Sequence, residues 1–290
     1  MPELPDLEIY VEALAARMRG QVLRKASVRN PFVLRTVDPP LAAIEGRTVV
    51  GVRRQAKRIA IDFPDSLHLV MHLMIAGRLR WLENGRAPPA RITLATLAFD
   101  NGTLAMTEAG TRRRASLHVV QGDEALAALG AGGVEIDALD ARSFAVRIRA
   151  ENHTLKRALT DPRILSGIGN AYSDEILHRA KLSPLAQTAK LDDDAIARLY
   201  AATRDVLREW TQRLRAQTGI AFPEKVTAFR PEMAVHGKFR QACPVCGTPV
   251  QRIVYAENEC NYCPRCQTNG VVLADRALSR LLHKSFPREI

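Results

Sequence analysis

Cys243-Pro-Val-Cys246 and Cys263-Pro-Arg-Cys266 are two Cys-x-x-Cys pairs near the end of the chain, separated by sixteen residues. Each pair places two thiolates on one side of a tight turn, and this spacing is typical of one structural zinc. The segment between the pairs, residues 247–262, is long enough to run out and back as a β-hairpin. Four thiolates complete a tetrahedron and leave no open coordination position, so the sequence predicts one Zn²⁺ that stabilises a fold.

Two other interpretations of the cysteines are weaker. Four unrelated buried cysteines would be scattered along the chain, whereas no cysteine precedes Cys243. A disulfide framework is typical of short secreted chains, and this chain is long. It opens with the acidic segment MPELPDLEIY instead of a secretion signal, and it has no apolar run of membrane-spanning length. We therefore expect a cytoplasmic protein.

The overall charge of the chain is strongly positive. Its 290 residues include 42 Lys and Arg against 31 Asp and Glu, which gives a formal net charge of +11. This length suggests two domains, or one domain with appendages, and suffices for a buried core. A basic composition is common by itself, but together with a zinc module it favours a polyanionic partner.

The pattern of apolar residues changes along the chain. Between residues 7 and 18, apolar side chains recur at helical spacing, and Gly20 follows them at the position of a helix C-cap. Residues 59–63 and 67–72 alternate between apolar and other side chains, with turn residues between such runs, which predicts a β-sandwich. After a glycine-rich segment at 129–133, which is typical of a hinge, the pattern becomes helical.

The helical half contains three predicted helices: a short one at 152–159, a second at 170–180, and a long one from Asp192 to Gly219. Ser166-Gly-Ile-Gly-Asn170 separates the first two. Gly167 and Gly169 would let backbone N–H groups approach an anion at a helix N-terminus. Lys156 precedes this loop, so phosphate is a fitting ligand, although most such turns are only tight loops.

The start of the chain, Met1-Pro2-Glu3, is a second candidate site. Removal of an initiator methionine before proline would leave the secondary amine of Pro2 free. An α-amino group has a pKa of roughly 7.7–8.0, so a fraction is unprotonated and nucleophilic near neutral pH. Attack on a sugar C1′ would give an iminium, and Glu3 could move protons beside it. Many chains begin with Met-Pro for other reasons, so the pair alone does not establish catalysis.

Several motifs occur together in the order of a known family. They are Met1-Pro2-Glu3-Leu4-Pro5, Lys57, His72-Leu73, Lys156, Gly167-Ile-Gly169-Asn170-x-Tyr172-x-x-Glu175 and the two cysteine pairs. In this combination the chain resembles the formamidopyrimidine-DNA glycosylase and endonuclease VIII family from residue 2 to about Gln267. Only the zinc motif is specific by itself, but the ordered set is highly specific.

The resemblance implies a multidomain α+β protein. Its parts would be an N-terminal antiparallel β-sandwich with flanking helices, a helix–two-turns–helix domain and a C-terminal four-cysteine zinc-finger hairpin, at residues 1–131, 132–228 and 236–290. It also implies that the protein binds damaged DNA, expected to be duplex, in a cleft between the halves, at the nucleoid of a bacterial-type cell. Nothing in the sequence indicates an assembly larger than a monomer, so we expect a monomer. The implied activity is that of a bifunctional DNA glycosylase/AP lyase acting on oxidised bases in base-excision repair.

Site roles follow from the resemblance residue by residue. Pro2 resembles the family's Schiff-base nucleophile, and Glu3 resembles the acid/base that protonates the sugar ring oxygen. Lys57 resembles the lysine that binds the phosphate at the lesion. Lys156 and Asn170 resemble phosphate ligands, in agreement with the anion loop described above. Taken singly, each of these lysines could be a surface residue and Asn170 a helix cap.

The chain departs from the family in the residues that replace the flipped base. The family usually reads His-Leu-Gly-Met, with the methionine as a wedge; here the run is His72-Leu-Met-Ile75, so Ile75 or Met74 is the expected wedge. The family's Asp-Pro-Arg-Arg-Phe-Gly motif is replaced by Glu108-Ala-Gly-Thr-Arg-Arg-Arg114-Ala, in which Arg113 keeps positive charge. These departures leave two properties open: which lesion is recognised, with an oxidised pyrimidine as an alternative to a purine, and which base is preferred opposite the lesion.

The hairpin also departs from the family. An arginine usually stands five residues before the third cysteine of the zinc site, and here that residue is Asn258, which lacks the guanidinium's charge and donors. We expect weaker binding of duplex DNA or a different strand preference, unless Arg252 or Arg265 supplies the missing positive charge. Cys260 is a fifth cysteine, and we expect it to be a small buried side chain in the hairpin.

Two further classes of protein remain as alternatives. A non-catalytic protein that binds damaged DNA or junctions could have kept the same fold, but it would have no need of Pro2, Glu3 and Lys57 together. A zinc-hairpin transcription factor fits poorly, because the chain shows no pattern of a base-reading recognition helix.

Overall fold

The structure, a computed structural model, describes residues 1–83, 86–110, 112–255 and 258–273; the side chains of Tyr255 and Asn258 lie outside that description. The chain forms two compact units. Met1–Ala131 and Trp210–Thr227 make the first, and Gly132–Glu209 with the chain from Ala228 onward makes the second. These units and the three sequence-based domains divide the chain differently, and the three-domain division stays a prediction.

The first unit begins with helix α1 (Leu4–Met18), which follows the extended residue Glu3. The carboxylate of Asp6 accepts a hydrogen bond of 3.1 Å from the backbone N–H of Glu3, which satisfies a donor that the helix itself leaves unpaired. Leu14 and Met18 are fully buried in the core. Gly20, with a φ of +77°, follows the helix, as the sequence predicted.

Two four-stranded antiparallel sheets form the body of the first unit, so the predicted β-sandwich is confirmed. One sheet has the order β1-β6-β7-β5 and the other β2-β3-β4-β8. The strands are β1 (Lys25–Val28), β2 (Gly51–Gln55), β3 (Arg58–Phe63), β4 (Leu67–His72), β5 (Gly77–Leu82), β6 (Thr93–Phe99), β7 (Gly102–Glu108) and β8 (Ser116–Gln121).

Strand β4 shows how side chains are divided between the faces of the second sheet. Leu69 and Met71 face the main core of the unit. Val70 points the opposite way and packs with Ala60 of β3 and Leu126 of helix α2 (Asp123–Ala128). Because successive side chains in a strand alternate, both faces of β4 are buried over part of its length. Each such aliphatic side chain stabilises the fold by about 1.5–3 kcal/mol.

The second unit is helical, with α3 (Ala141–Arg149), α4 (Leu155–Thr160), α5 (Asn170–Ala180) and α6 (Asp193–Thr218), the last of which continues into residues of the first unit. Helix α4 begins after Thr154, whose side chain accepts from the N–H of Arg157. The predicted helix at 170–180 is confirmed at both ends. None of the helices within the described residues combines the length and apolarity needed to cross a membrane.

The cysteine-rich segment of the second unit contains the predicted hairpin. Strands β9 (Gln251–Tyr255) and β10 (Asn258–Tyr262) pair antiparallel, and the short helix α7 (Pro264–Thr268) follows. Val235 and Val250 are fully buried beside the cysteines, so the module has a small apolar core of its own. Residues 274–290 of the predicted third domain lie outside the described residues.

Candidate functional site

Pro2 and Glu3 are both buried at the start of α1, and Glu3 is only 3% exposed. The free amine in the structure belongs to Met1. Its pKa is lowered by burial, and further by Arg78 and Lys57, while Glu3 and Asp6 oppose the shift. A larger fraction of the amine is therefore neutral than in a free α-amino group, and the neutral form is the nucleophile. The nitrogen of Pro2 itself becomes an amine only when Met1 is removed.

Lys57 lies in the turn between β2 and β3, beside the buried Glu3. Ala56 in this turn adopts a positive φ of 55°, and its carbonyl accepts a 3.1 Å hydrogen bond from Arg54. Burial lowers the pKa of the Lys57 ammonium, and the Glu3 carboxylate opposes that shift. The structure thus brings Glu3 and Lys57 together at the N-terminus, although they are far apart in the sequence.

Ile75 stands in the tight turn between β4 and β5 and is 58% exposed. The turn is closed by a 2.9 Å hydrogen bond from the N–H of Gly77 to the carbonyl of Leu73, and Met74 has a φ of 51°. A Cβ at Gly77 would lie 2.2 Å from the Leu73 oxygen, so only glycine fits there. An apolar side chain is held outside the core, as a wedge requires, and its role stays a prediction.

Arg112, Arg113 and Arg114 are exposed beyond the end of β7. The buried carboxylate of Glu108 accepts hydrogen bonds from the backbone N–H groups of Arg114, at 3.2 Å, and Ala115, at 3.1 Å. Arg113 donates to the carbonyl of Arg91 at 2.8 Å. Glu108, which the sequence analysis did not recognise as important, therefore fixes the backbone that presents these arginines.

The glycine loop of the second unit leads directly into α5. Gly167 has a φ of 82° and Gly169 is the N-cap of the helix. The side-chain amide of Asn170 donates a 2.7 Å hydrogen bond to the carbonyl of Glu259 in the hairpin. Asn170 thus ties the start of α5 to β10, and a contact of Asn170 with phosphate stays a prediction.

Lys156 is 8% exposed and its ammonium has three acceptors inside the protein. They are the carbonyl of Asn170 and the hydroxyl of Ser173, each at 2.7 Å, and the carboxylate of Asp174. An ammonium has three N–H donors, so all of them are used within this unit. In this conformation Lys156 acts on the anion loop by fixing the start of α5, and its direct contact with phosphate also stays a prediction.

Asp174 is fully buried and joins several parts of the second unit. Besides Lys156, it accepts hydrogen bonds from His236 Nδ1 at 2.8 Å and from the backbone N–H of Asn261 in β10 at 3.1 Å. Burial alone would raise the pKa of Asp174, but the Lys156 ammonium and the His236 hydrogen bond hold it below the ordinary value. Ser173 and Asp174 are both fully buried polar residues of α5.

Glu175, the next residue, holds the chain that approaches the cysteines. Its carboxylate accepts from the backbone N–H groups of Ala234, Val235 and His236 at 2.8–2.9 Å. Three amide donors are satisfied by one buried side chain, which explains why this irregular segment can be buried.

The sulfur atoms of Cys243, Cys246, Cys263 and Cys266 all lie within 4.8 Å of one another. The Sγ–Sγ separation is 3.4 Å for Cys246–Cys263 and 3.9 Å for Cys243–Cys266. A regular tetrahedron with zinc–sulfur bonds of about 2.3 Å requires separations of about 3.8 Å. The four thiols therefore fit one zinc ion, and Cys260, fully buried in β10, is not among them.

The fold and the site together define a protein with a β-sandwich, a helical unit and a four-cysteine zinc module. Three family models match successive parts of the chain: Formamidopyrimidine-DNA glycosylase N-terminal domain at residues 1–117, Formamidopyrimidine-DNA glycosylase H2TH domain at 132–220, and Zinc finger found in FPG and IleRS at 240–269. The zinc-finger match and the cysteine geometry confirm the prediction of one zinc ion.

Curated relatives match nearly the full chain. A formamidopyrimidine-DNA glycosylase of Thermus thermophilus is 32% identical over 280 residues, covering 93% of this chain and 100% of the relative. One of Heliobacterium modesticaldum is 31% identical over 284 residues, covering 92% and 100%. The chain belongs to the formamidopyrimidine-DNA glycosylase family, as its sequence motifs predicted.

Solved structures show the same fold. MutM in complex with DNA containing carbocyclic 8-oxo-G has a TM-score of 0.81 at 24% identity, covering 92% of this chain and 100% of that one. Lactococcus lactis formamidopyrimidine-DNA glycosylase, non-covalently bound to DNA with an AP site, has a TM-score of 0.80 at 25% identity, covering 92% and 99%. The predicted architecture of sandwich, helical region and zinc hairpin is confirmed.

Proposed function

We propose that this protein is a bifunctional DNA glycosylase/AP lyase that removes oxidised bases from damaged duplex DNA and acts as a monomer. The observation that carries the proposal is the N-terminus, where Pro2 and Glu3 are buried, Glu3 interacts electrostatically with Lys57, and burial lowers the pKa of the terminal amine. Family membership supports the glycosylase step, and relatives bound to damaged DNA support the substrate class.

The proposed reaction begins when the Pro2 amine, freed of Met1, attacks C1′ of the damaged nucleotide. The N-glycosidic bond breaks, and the departing base takes the proton that the amine loses. Glu3 then protonates the sugar ring oxygen, so the ring opens and the nitrogen lone pair forms an iminium with C1′. The iminium makes the C2′ proton acidic, so β-elimination releases the 3′ phosphate; a second, δ-elimination can follow.

The other residues bind and orient the substrate. Lys57 would hold the phosphate next to the lesion, where its partly buried ammonium interacts more strongly than it would in water. Ile75 and Arg113 would occupy the space that the flipped nucleotide leaves. The helical loop with Gly167 and Gly169 would bind a backbone phosphate without reading base sequence. Zinc, held by the four thiolates, has a structural role.

Borohydride trapping tests the proposal. Protein with Met1 removed is incubated with duplexes carrying an abasic site, 8-oxoguanine or an oxidised pyrimidine, and any iminium is reduced to a stable adduct. We expect an adduct that maps to residue 2, and the yields rank the lesions. Glu3→Gln should reduce trapping on the base-containing duplexes, and protein extended by a fused N-terminal tag should give no adduct.

The control on residue 2 itself is Pro2→Gly, which replaces the secondary amine with a primary one and should change the trapping rate. If the untagged protein binds these duplexes but forms no adduct with any of them, the enzymatic proposal fails. That result would favour the alternative of a non-catalytic protein that binds damaged DNA.

A further inference from the structure

The outward face of the second sheet carries a group of basic residues at the end nearest Lys57. In β3, β4 and β8, Ile59, Met71 and Leu117 face the main core. Because side chains alternate along a strand, the neighbours of these core residues face outward. Those neighbours are Arg58, His72 and His118. Ile59 pairs with Met71, so the next residues outward, Arg58 and His72, lie side by side. His118 pairs with Val70, which is two residues before His72 on the same face of β4.

A segment beside β8 adds a further positive charge. Leu34 forms a parallel bridge to Leu117, and the N–H of Arg35 donates to the carbonyl of Leu117 at 2.9 Å. The hydroxyl of Thr36 accepts from the N–H of Val119 at 2.8 Å. Residues 34–36 therefore run along β8, and the exposed side chain of Arg35 stands near His118.

Among the described residues, the charged groups that shift the pKa values of the two histidines are all basic. Burial, followed by Arg58, Lys57 and His118, lowers the pKa of His72 to about 4. Burial, followed by Arg58 and Arg35, lowers the pKa of His118. In neither case does a carboxylate of the described chain oppose the shift, in contrast to Lys57, on which Glu3 acts.

The Arg58 guanidinium has no counter-ion within the described part of the chain. Burial lowers its pKa, and its Nε–H is enclosed without a hydrogen-bond partner among the described residues. His118 has one weak polar contact, at 3.4 Å from the hydroxyl of Ser116. Arg58 is half-buried, and an enclosed guanidinium N–H without a hydrogen-bond partner is costly, so the arrangement points to an anion that completes it.

We infer that Arg58 and His118 form a binding subsite for a phosphodiester group of DNA, next to the phosphate that Lys57 is proposed to hold. The inference rests on the proposed function in taking DNA as the ligand. A phosphodiester has one negative charge shared by two non-bridging oxygens, which match the fork of donors on a guanidinium and the N–H of an imidazole. The subsite would extend the contacts along the strand by at least one phosphate, without base specificity.

Salt-dependent affinity tests the inference. Dissociation constants are measured for a duplex with a stable abasic-site analogue at several salt concentrations. The slope of log affinity against log salt is negative, and each lost phosphate contact should lower its magnitude, which is the quantity compared below, by about 0.9. We expect Arg58→Gln to lower the slope by about that amount and to weaken binding roughly tenfold at low salt. Arg58→Lys should keep the slope, since the charge remains.

Arg24→Gln is the matched control. It removes one positive charge from the same unit, but Arg24 is exposed and paired with Asp100 at 2.7 Å, away from the basic group. The salt dependence of DNA affinity should have the same slope in Arg24→Gln as in the unmodified protein. If Arg58→Gln and Arg24→Gln change the slope equally, the effect is one of net charge and the subsite is wrong. Thermal unfolding is measured for each variant to verify that it is folded.

A local readout comes from the imidazole signals of His118 in ¹H–¹⁵N spectra. They should shift when the duplex is added to the unmodified protein, and much less with Arg58→Gln; signals that never shift overturn the inference. Borohydride trapping separates this inference from the proposed function. Normal trapping with unchanged slopes would overturn only the subsite, whereas a lowered slope without any trapping would overturn only the iminium chemistry.

Discussion

The ammonium of Lys156 and the carboxylate of Asp174 form a direct hydrogen bond in the interior of the second unit, where Asp174 has no exposed surface. Asp174 also bonds His236 and the backbone of Asn261. One carboxylate therefore connects helix α4, helix α5 and the zinc hairpin. A buried ion pair with further hydrogen bonds is sensitive to the loss of either partner, because the remaining charge keeps its desolvation cost.

Asp174→Asn should consequently be strongly destabilising. The substitution preserves the size of the side chain but leaves the Lys156 ammonium without its counter-ion, and breaking such a buried pair costs about 3–5 kcal/mol. Urea unfolding followed by circular dichroism measures the change. Asp205→Asn is the control, because Asp205 pairs with Arg208 on the exposed face of α6 and should cost less than about 1 kcal/mol. Equal effects of the two variants would contradict the proposed importance of the buried pair.

The pH dependence of stability should reveal His72. The folded protein lowers the pKa of His72 to about 4, while an unfolded chain has a histidine pKa of about 6.5. Between these values the unfolded chain binds a proton that the native protein does not, so stability decreases as pH falls through this window. The decrease is at most about 1.4 kcal/mol per pH unit, and less for a ring that is partly solvated.

His72→Gln removes this contribution and should have a flatter stability curve between pH 7 and 5. Unfolding free energies of the unmodified protein and the variant are compared at each pH, so contributions shared by both, including any loss of zinc, cancel. Parallel curves across this range would mean that the native protein does not suppress protonation of His72.

Local patterns were sufficient for much of the fold. The helix at 170–180 and the cysteine module were predictable because each is specified by residues close together in the sequence. The hydrogen bond between Asp174 and His236 joins residues 62 positions apart and depends on how the helices and the hairpin pack. For the same reason the sequence suggested Lys156 as a phosphate ligand but gave no sign that its donors are satisfied internally.

The candidate catalytic residues also include some that local sequence predicts and others that depend on how distant segments pack. Pro2 and Glu3 are adjacent in the sequence, so their association needed only the first residues of the chain. The role of Lys57 came from the family resemblance alone. Its position near Glu3 was not predicted, because it depends on the turn between two strands that pack near α1. The basic group around Arg58 and His118 was not anticipated, since its members come from separate strands whose register the sequence does not reveal.

The turn that presents Ile75 should depend on Gly77. In Gly77→Ala the added methyl group would lie 2.2 Å from the carbonyl oxygen of Leu73, whose backbone accepts the hydrogen bond that closes the turn. The backbone shift that relieves such a clash should lower the free energy of unfolding by roughly 1–3 kcal/mol. Gly110→Ala is the control: its methyl group would meet Ala76 at 3.6 Å, an ordinary contact, and should change stability by less than about 0.5 kcal/mol. A neutral Gly77→Ala would contradict this geometry of the turn.

The zinc module should lose its metal when one ligand is removed, and the effect should reach the hairpin. Cys263→Ala removes one of the four thiolates, and a site with three protein ligands binds zinc far more weakly, so zinc content should fall from about one ion per chain towards zero. Because metal binding and local folding are coupled, amide hydrogen exchange should accelerate in β9 and β10. Cys260→Ala removes a buried thiol of the same hairpin that is not a ligand, and this variant should keep its zinc. Unchanged zinc content in Cys263→Ala, or equal loss in both variants, would show that the four predicted cysteines do not form the metal site.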